Sequence, residues 1–153
     1  MPHVIEKLHH DHEKVEKLFE KLLNTGDGAK KTRENLRQQL SSELQAHAEF
    51  EEQVFYPAIK KAGASAGDEL KEALSEHQEM KDLLERLIAL DVEDEGFLDL
   101  ASELQEAVES HVQHEEEDIF PLAKDGLEED EAQEMAKRHD SMAKEYMQQH
   151  AHR

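Results

Sequence analysis

Two eleven-residue segments hold the groups most able to do chemistry: HAEFEEQVFYP from His47 and HVQHEEEDIFP from His111. Each opens on His, carries Glu four residues later and closes on an aromatic–proline pair. On a helix, residues four apart share one face about 6 Å apart. His47/Glu51 and His111/Glu115 can therefore each present an imidazole and a carboxylate to one point. Two such pairs in one chain imply a site with two equivalent halves, and that donor set points to metal.

The repeat extends beyond these segments and adds one more histidine per half. A shift of 65 residues carries His12 onto His77, with Val15, Leu18, Phe19 and Leu22 falling on Met80, Leu83, Leu84 and Leu87. A shift of 64 carries Leu36, Leu40 and Leu44 onto Leu100, Leu104 and Val108, and Pro57 onto Pro121. His12 and His77 each lie on the apolar stripe of their helix. The expected inward set is His12, His47, Glu51, His77, His111 and Glu115. Buried carboxylates need compensating charge, and no inward Lys or Arg on these stripes supplies it for Glu51 and Glu115. A pair of divalent cations does. Imidazole with carboxylate suits iron, manganese or zinc, whereas magnesium and calcium prefer oxygen-only sites.

Helices must position these groups. Stripes spaced three and four apart predict segments from Pro2 to Leu23, Thr32 to Ile59, Asp68 (as cap) through Leu87, Glu95 to Ala123, and Glu128 to His150. The third stripe is read as Leu70, Leu74, Leu83, Leu84 and Leu87. NTGDGAK, from Asn24, is a turn, and Lys60 to Gly67 is a loop of small residues. Short connections make consecutive helices antiparallel. The fold expected is all-α: an up-down-up-down four-helix bundle, built as a duplicated helical hairpin over residues 1–124, with an additional C-terminal helix over 125–153 packed on or extending from it. The halves should relate by a pseudo-twofold axis.

Composition agrees with one helical domain of 153 residues: charged residues make up 37%, and Trp and strand-like alternation are absent. The formal charge of −20 opposes polyanions, so no nucleic-acid partner is expected. No apolar run is long enough for a membrane span. With no cysteine, disulfides and thiolate sites are excluded. MPHVIEKLHH lacks the features of a secretory signal, so the mature chain is expected to begin here, in the cytoplasm.

The remaining polar residues get simpler readings. Glu52 and Glu116 are read as surface charge, and Met80, Met135 and Met142 as core. His9 and His114, one turn from His12 and His111, are read as solvent-facing or supporting groups. His139, on the stripe of the last helix, is the best candidate for supporting the site or controlling access to it. The histidines of the tail QQHAHR are read as exposed.

With these residues in place the chain resembles the hemerythrin-like HHE cation-binding family, whose pattern of His, H-x-x-x-E, His, H-x-x-x-E runs here through His12, His47/Glu51, His77 and His111/Glu115. The resemblance spans about residues 1–124. It implies two iron ions, oxo- or hydroxo-bridged, in preference to zinc or manganese, with His12 and His47 on one, His77 and His111 on the other, and Glu51 and Glu115 bridging. Oxygen-carrying hemerythrins add a second His four residues from the third-helix His and end on H-x-x-x-x-D; here Ala73 and Lys81 flank His77, and the second motif ends in Glu115. A symmetric, more open site is therefore expected.

The function expected on this resemblance is binding of iron and reaction with, or sensing of, O2, peroxide or nitric oxide, with catalase-like turnover as an open activity. The alternative is a metal-responsive iron-binding, storage or regulatory module without turnover. The chain would act as monomer or homodimer. A ferritin-like oxidase needs Glu three residues before each ligand His; Leu44 and Val108 stand there instead.

Overall fold

The structure is a computed structural model that describes residues 3–62 and 67–150, with side chains as far as residue 148. The expected start at Pro2, most of the small-residue loop and the tail histidines His150 and His152 fall outside the described residues or side chains. Every described element is helical: α1 (Val4–Leu23), α2 (Lys30–Phe50), α3 (Tyr56–Lys61), α4 (Gly67–Ala89), α5 (Phe97–His114), α6 (Phe120–Gly126) and α7 (Glu129–His150). One π-helical turn, Glu51–Phe55, joins α2 to α3, and another, Glu115–Ile119, joins α5 to α6.

Helices α1, α2, α4 and α5 form a four-helix bundle in which α1 packs on α2 and α5, and α4 on α5 and α2. The fifth long helix, α7, lies against α1 and α2. Periodicity explains the arrangement. In α1 the buried residues are Val4, Ile5, Leu8, His12, Val15, Phe19 and Leu22, a stripe that returns to one face every three or four residues. In α4 the stripe is Leu70, Ala73, His77, Met80, Leu83, Leu84 and Leu87. Leu74 departs from expectation: it is 45% exposed, because the helical period turns Ala73 inward at that level. Asp68 lies in the first turn of α4, where its charge faces the positive end of the helix dipole.

The apolar core is divided in two. One cluster gathers Leu8, Phe50, Phe55, Tyr56, Ala73, Ile119 and Phe120, together with Ala132 and Met135 of α7. The other gathers Val15, Phe19, Leu44, Met80, Leu84, Leu104 and Val108. His12 lies in sequence between Leu8 and Val15, and His77 between Ala73 and Met80. His47 and His111 occupy the same level on α2 and α5. A polar layer thus sits between two apolar ones and is shielded along the bundle axis.

The π turns mark that layer. Each begins at the motif glutamate, and each closes with a bond five residues long: Tyr56 N–H to the Glu51 carbonyl, and Phe120 N–H to the Glu115 carbonyl. A proline follows at once in both halves. Inside an α-helix its ring would collide with the carbonyl four residues back, and the widened turn relieves this conflict. Such turns recur at functional sites.

Contrary to expectation the α2 stripe does carry an inward arginine, but away from the site. Arg33 is buried, donating to Thr25 Oγ1 at 2.8 Å and to the Val92 carbonyl at 2.8 Å. Arg37 donates to the carbonyls of Leu87 and Leu90 past the end of α4. Neither guanidinium is among the groups around Glu51 and Glu115.

Candidate metal centre

The structure brings all six sequence-predicted residues together. His12, His47, Glu51 and Glu115 form one group whose donor atoms lie within 4.8 Å of one another, and Glu51, His77, His111 and Glu115 form a second. Both glutamates belong to both groups. All six side chains are buried, the two glutamates completely. His12 Nε2 lies 3.0 Å from Glu115 Oε1, and His77 Nε2 3.1 Å from Glu51 Oε1. His47 Nε2 is 3.2 Å from Glu51 Oε1, and His111 Nε2 3.3 Å from Glu115 Oε2.

Each inner imidazole is held from behind by a carboxylate. His12 Nδ1 is 2.7 Å from Glu116 Oε2, and His77 Nδ1 is 2.9 Å from Glu52 Oε2. His47 Nδ1 is 2.8 Å from Asp11 Oδ2, and His111 Nδ1 is 2.8 Å from Glu76 Oε1. An ionised carboxylate only accepts, so each Nδ1 donates to it and each Nε2 is the ring nitrogen turned into the site. Glu52 and Glu116 are therefore not simple surface charge, as their sequence context suggested: both side chains keep part of their surface in solvent, but each carboxylate bonds an imidazole. A sequence signal existed. An acidic residue directly precedes each lone histidine (Asp11, Glu76) and directly follows each motif glutamate (Glu52, Glu116), in both halves alike.

Three of these carboxylates take a further histidine. Asp11 Oδ2 is 2.6 Å from His139 Nε2, Glu76 Oε1 is 2.8 Å from His114 Nδ1, and Glu116 Oε2 is 3.2 Å from His9 Nδ1. His9, His114 and His139 thus buttress the inner set; of these, His9 is exposed.

Tyr56 is the residue that sequence reasoning passed over. Its hydroxyl lies 2.5 Å from Glu115 Oε2 and 3.2 Å from Glu51 Oε1, inside the polar layer. Its ring stacks on His77, centroids 5.5 Å apart. The repeat-related Phe120 stacks on His12 at 5.8 Å, with no hydroxyl. The symmetric site expected from the repeat is thus corrected. At this pair of positions the two halves differ by one phenolic oxygen.

The electrostatics match a site made for cations. Burial would lower the His111 pKa, but hydrogen bonds to Glu115, Glu51 and Glu76 push it up to about 11. Burial opposes His47 too, yet the Glu51 charge and the Asp11 hydrogen bond raise it well above its ordinary value. Burial would raise Glu115, but hydrogen bonds with Glu51, His111 and His12 hold it well below the usual carboxylate range. Asp11 behaves likewise: hydrogen bonds from His139 and His47 outweigh its burial. Without metal, protons on the imidazoles do the neutralising. Even so, His47 Nε2 and Glu51 Oε2 lie buried with no hydrogen-bond partner. Orphaned buried donor atoms that converge with other ligand-type atoms are what a metal-binding set leaves in the absence of its ion. The residues fit a metal.

The sequence matches the hemerythrin HHE cation-binding domain over residues 3–123. The chain belongs to this family. A solved hemerythrin HHE cation-binding domain-containing protein from Mycobacterium kansasii shares its fold, with a TM-score of 0.83 and 23% identity over 95% of this chain and 88% of that one. An uncharacterized hemerythrin-like protein of Schizosaccharomyces pombe is 27% identical over 99% of this chain and 74% of its own length. A Nostoc protein described as a DNA nickase is 34% identical over 82% of this chain, which spans only 35% of that relative.

In this HHE domain two grooves lead to the polar layer, and the repeat relates them. One, of about 260 Å³, runs between α2 and α4 to His77 and Glu52, past Leu44, Met80 and Leu84. The other, of about 390 Å³, runs between α1 and α5 to His12 and Glu116, past Val15, Phe19 and Val108. Among the described residues no helix is long and apolar enough to cross a membrane. Helix α7 lies beyond the residues that match the family.

Proposed function

We propose that this HHE domain binds two iron ions, one between His12 and His47 and the other between His77 and His111, with Glu51 and Glu115 shared, and that it acts on or senses O2, peroxide or nitric oxide. The observation that carries this reading is the pair of four-residue groups overlapping at both glutamates, with His47 Nε2 and Glu51 Oε2 unsatisfied. Bound iron supplies redox chemistry toward small oxidants. Family membership favours it over zinc or manganese, which the same donors also suit.

The protein's own groups define what that chemistry would meet. The four outer carboxylates fix the imidazoles, so the donor set is arranged before metal arrives. The flanking apolar clusters exclude water from two sides. Tyr56 keeps its proton on Oη, because burial and the charges of Glu51 and Glu115 push its pKa far up. It is therefore the phenolic donor beside the His77–His111 position. The two grooves admit molecules the size of O2 or peroxide to the outer edges of His77 and His12. Catalase-like turnover belongs to this reading, in a cytoplasmic protein working as monomer or homodimer.

The second reading is a metal-responsive module without turnover, and the hydrogen-bonded link from His139 through Asp11 to His47 favours it. Nicking, the activity named for the Nostoc relative, is not part of either reading: a formal charge of −20 opposes a nucleic-acid partner. Metal analysis of protein purified from iron-replete cells, with an optical spectrum and a peroxide-consumption assay, tests the proposal. Two irons per chain with ligand-to-metal absorption is the expected result. Zinc in a colourless protein would overturn it, and iron without turnover would favour the second reading.

A further inference from the structure

The two halves support their inner histidines alike up to one point. Asp11 and Glu76 occupy related positions, and each offers a single oxygen to an inner Nδ1–H, that of His47 and of His111. Each of those oxygens also takes a second imidazole. At Glu76 it is His114, three residues beyond His111, at 2.8 Å. The repeat places Phe50 at the position of His114 in the first half, and phenylalanine has no nitrogen to offer. There the second imidazole comes from α7. His139 Nε2 lies 2.6 Å from Asp11 Oδ2, and its ring sits edge-on against Phe50, with centroids 5.0 Å apart and planes at 85°. Helix α7, outside the residues that match the family, supplies to one half what His114 supplies to the other from within.

We propose that His139 is a positioning residue of the metal centre: through Asp11 it holds His47, and it thereby links docking of α7 to metal binding between His12 and His47. The inference rests on the metal-binding reading above. A carboxylate that accepts two N–H bonds is confined to one orientation, and it confines in turn the imidazole it holds. Linkage is reciprocal. If docked α7 favours the metal-ready His47, metal on His47 favours docked α7 by the same factor. The second position, His77 with His111, takes its supports from Glu52 and Glu76 within the bundle and should not sense His139, although Tyr146 of α7 borders the groove toward His77.

The contact separates into packing and hydrogen bonding, which makes it testable. His139→Phe keeps a ring against Phe50 and removes the donor; His139→Gln keeps an N–H donor. Anaerobic Fe2+ titration of the full chain against a chelator should give two ions for the wild type. His139→Phe should hold one ion as the wild type does and the other about 10-fold or more weakly, and His139→Gln should recover most of that loss. Hydrogen exchange should show α7 slowing when Fe2+ is added to the wild type, with the slowing lost in His139→Phe while α4 still responds. Two ions at wild-type affinity in His139→Phe overturns the inference. So does an α7 indifferent to Fe2+ in the wild type, a measurement that decides the matter even if the variant fails to fold. A wild type that takes up no Fe2+ overturns the metal-binding reading and the inference together, whereas uptake without an α7 response overturns the inference alone.

Discussion

Tyr56 Oη lies 2.5 Å from Glu115 Oε2, joining two residues that are 59 apart in the chain, and its ring stacks on His77. At the related position Phe120 stacks on His12 and brings no hydroxyl. This oxygen separates two halves whose inner histidines and glutamates, supporting carboxylates and π turns correspond.

Replacing Tyr56 by Phe removes that distinction with almost no change of shape. Loss of a single buried hydroxyl costs about 1 kcal/mol, so the variant should fold and keep its metal content. Its reaction with peroxide or oxygen should slow by about 10²-fold, the scale of a lost positioned proton donor. Stopped-flow mixing of the ferrous variant with each oxidant checks this; an unchanged rate would deny Tyr56 any part in the chemistry.

The shared glutamates predict a loss common to both metal positions. Glu51→Ala or Glu115→Ala removes an acceptor that touches imidazoles from both groups. Metal content, measured by elemental analysis, should fall below one ion per chain, and the gain in melting temperature on adding metal should shrink with it. Full occupancy in either variant would show that the glutamate is not shared between two ions.

The outer carboxylates predict a subtler effect. Glu52→Gln and Glu116→Gln leave the inner residues in place but weaken the hold on His77 and His12. Metal affinity should drop about 10- to 100-fold in each, with little effect on the stability of the metal-free chain. Competition with a chromophoric chelator measures the drop. Wild-type affinity in both variants would return these residues to plain surface charge.

The pH dependence follows from the direction of each shift. In the metal-free chain His47, His77 and His111 are raised, His111 to about 11. Their contribution to stability is complete below the unfolded value of 6.5 and is lost as pH climbs toward the folded values. Glu51, Glu115 and Asp11 are lowered, so their contribution is present above the ordinary carboxylate range and is lost on acidification. Metal-free protein should therefore be most stable between about pH 4.5 and 6.5. Metal needs unprotonated Nε2 atoms and binds more tightly as pH rises. The rise in melting temperature on adding metal should grow from about pH 6 to about pH 9, as scanning fluorimetry would show; a gain that stays level or shrinks contradicts this assignment of protons.

Much of this protein was legible in its sequence because it is written twice. Helical period, the duplicated hairpin and the six inward donors all follow from spacing, since residues three and four apart must share a helix face. The family follows from the same six residues. What spacing could not convey is which side chains reach across from a neighbouring helix. Glu52 and Glu116 sit on outward faces in sequence, yet they bond to His77 and His12 because a long carboxylate side chain can fold back over the helix edge. Leu74 looked like core and is exposed, since at that level Ala73 takes the inward place. Tyr56 and Phe120 appeared as interchangeable aromatic–proline endings until the π turns set one hydroxyl among the shared glutamates. The link from His139 to Asp11 spans 128 residues. Only the packing of α7 on α1 and α2 brings those two together, and no local pattern encodes a contact made by docking.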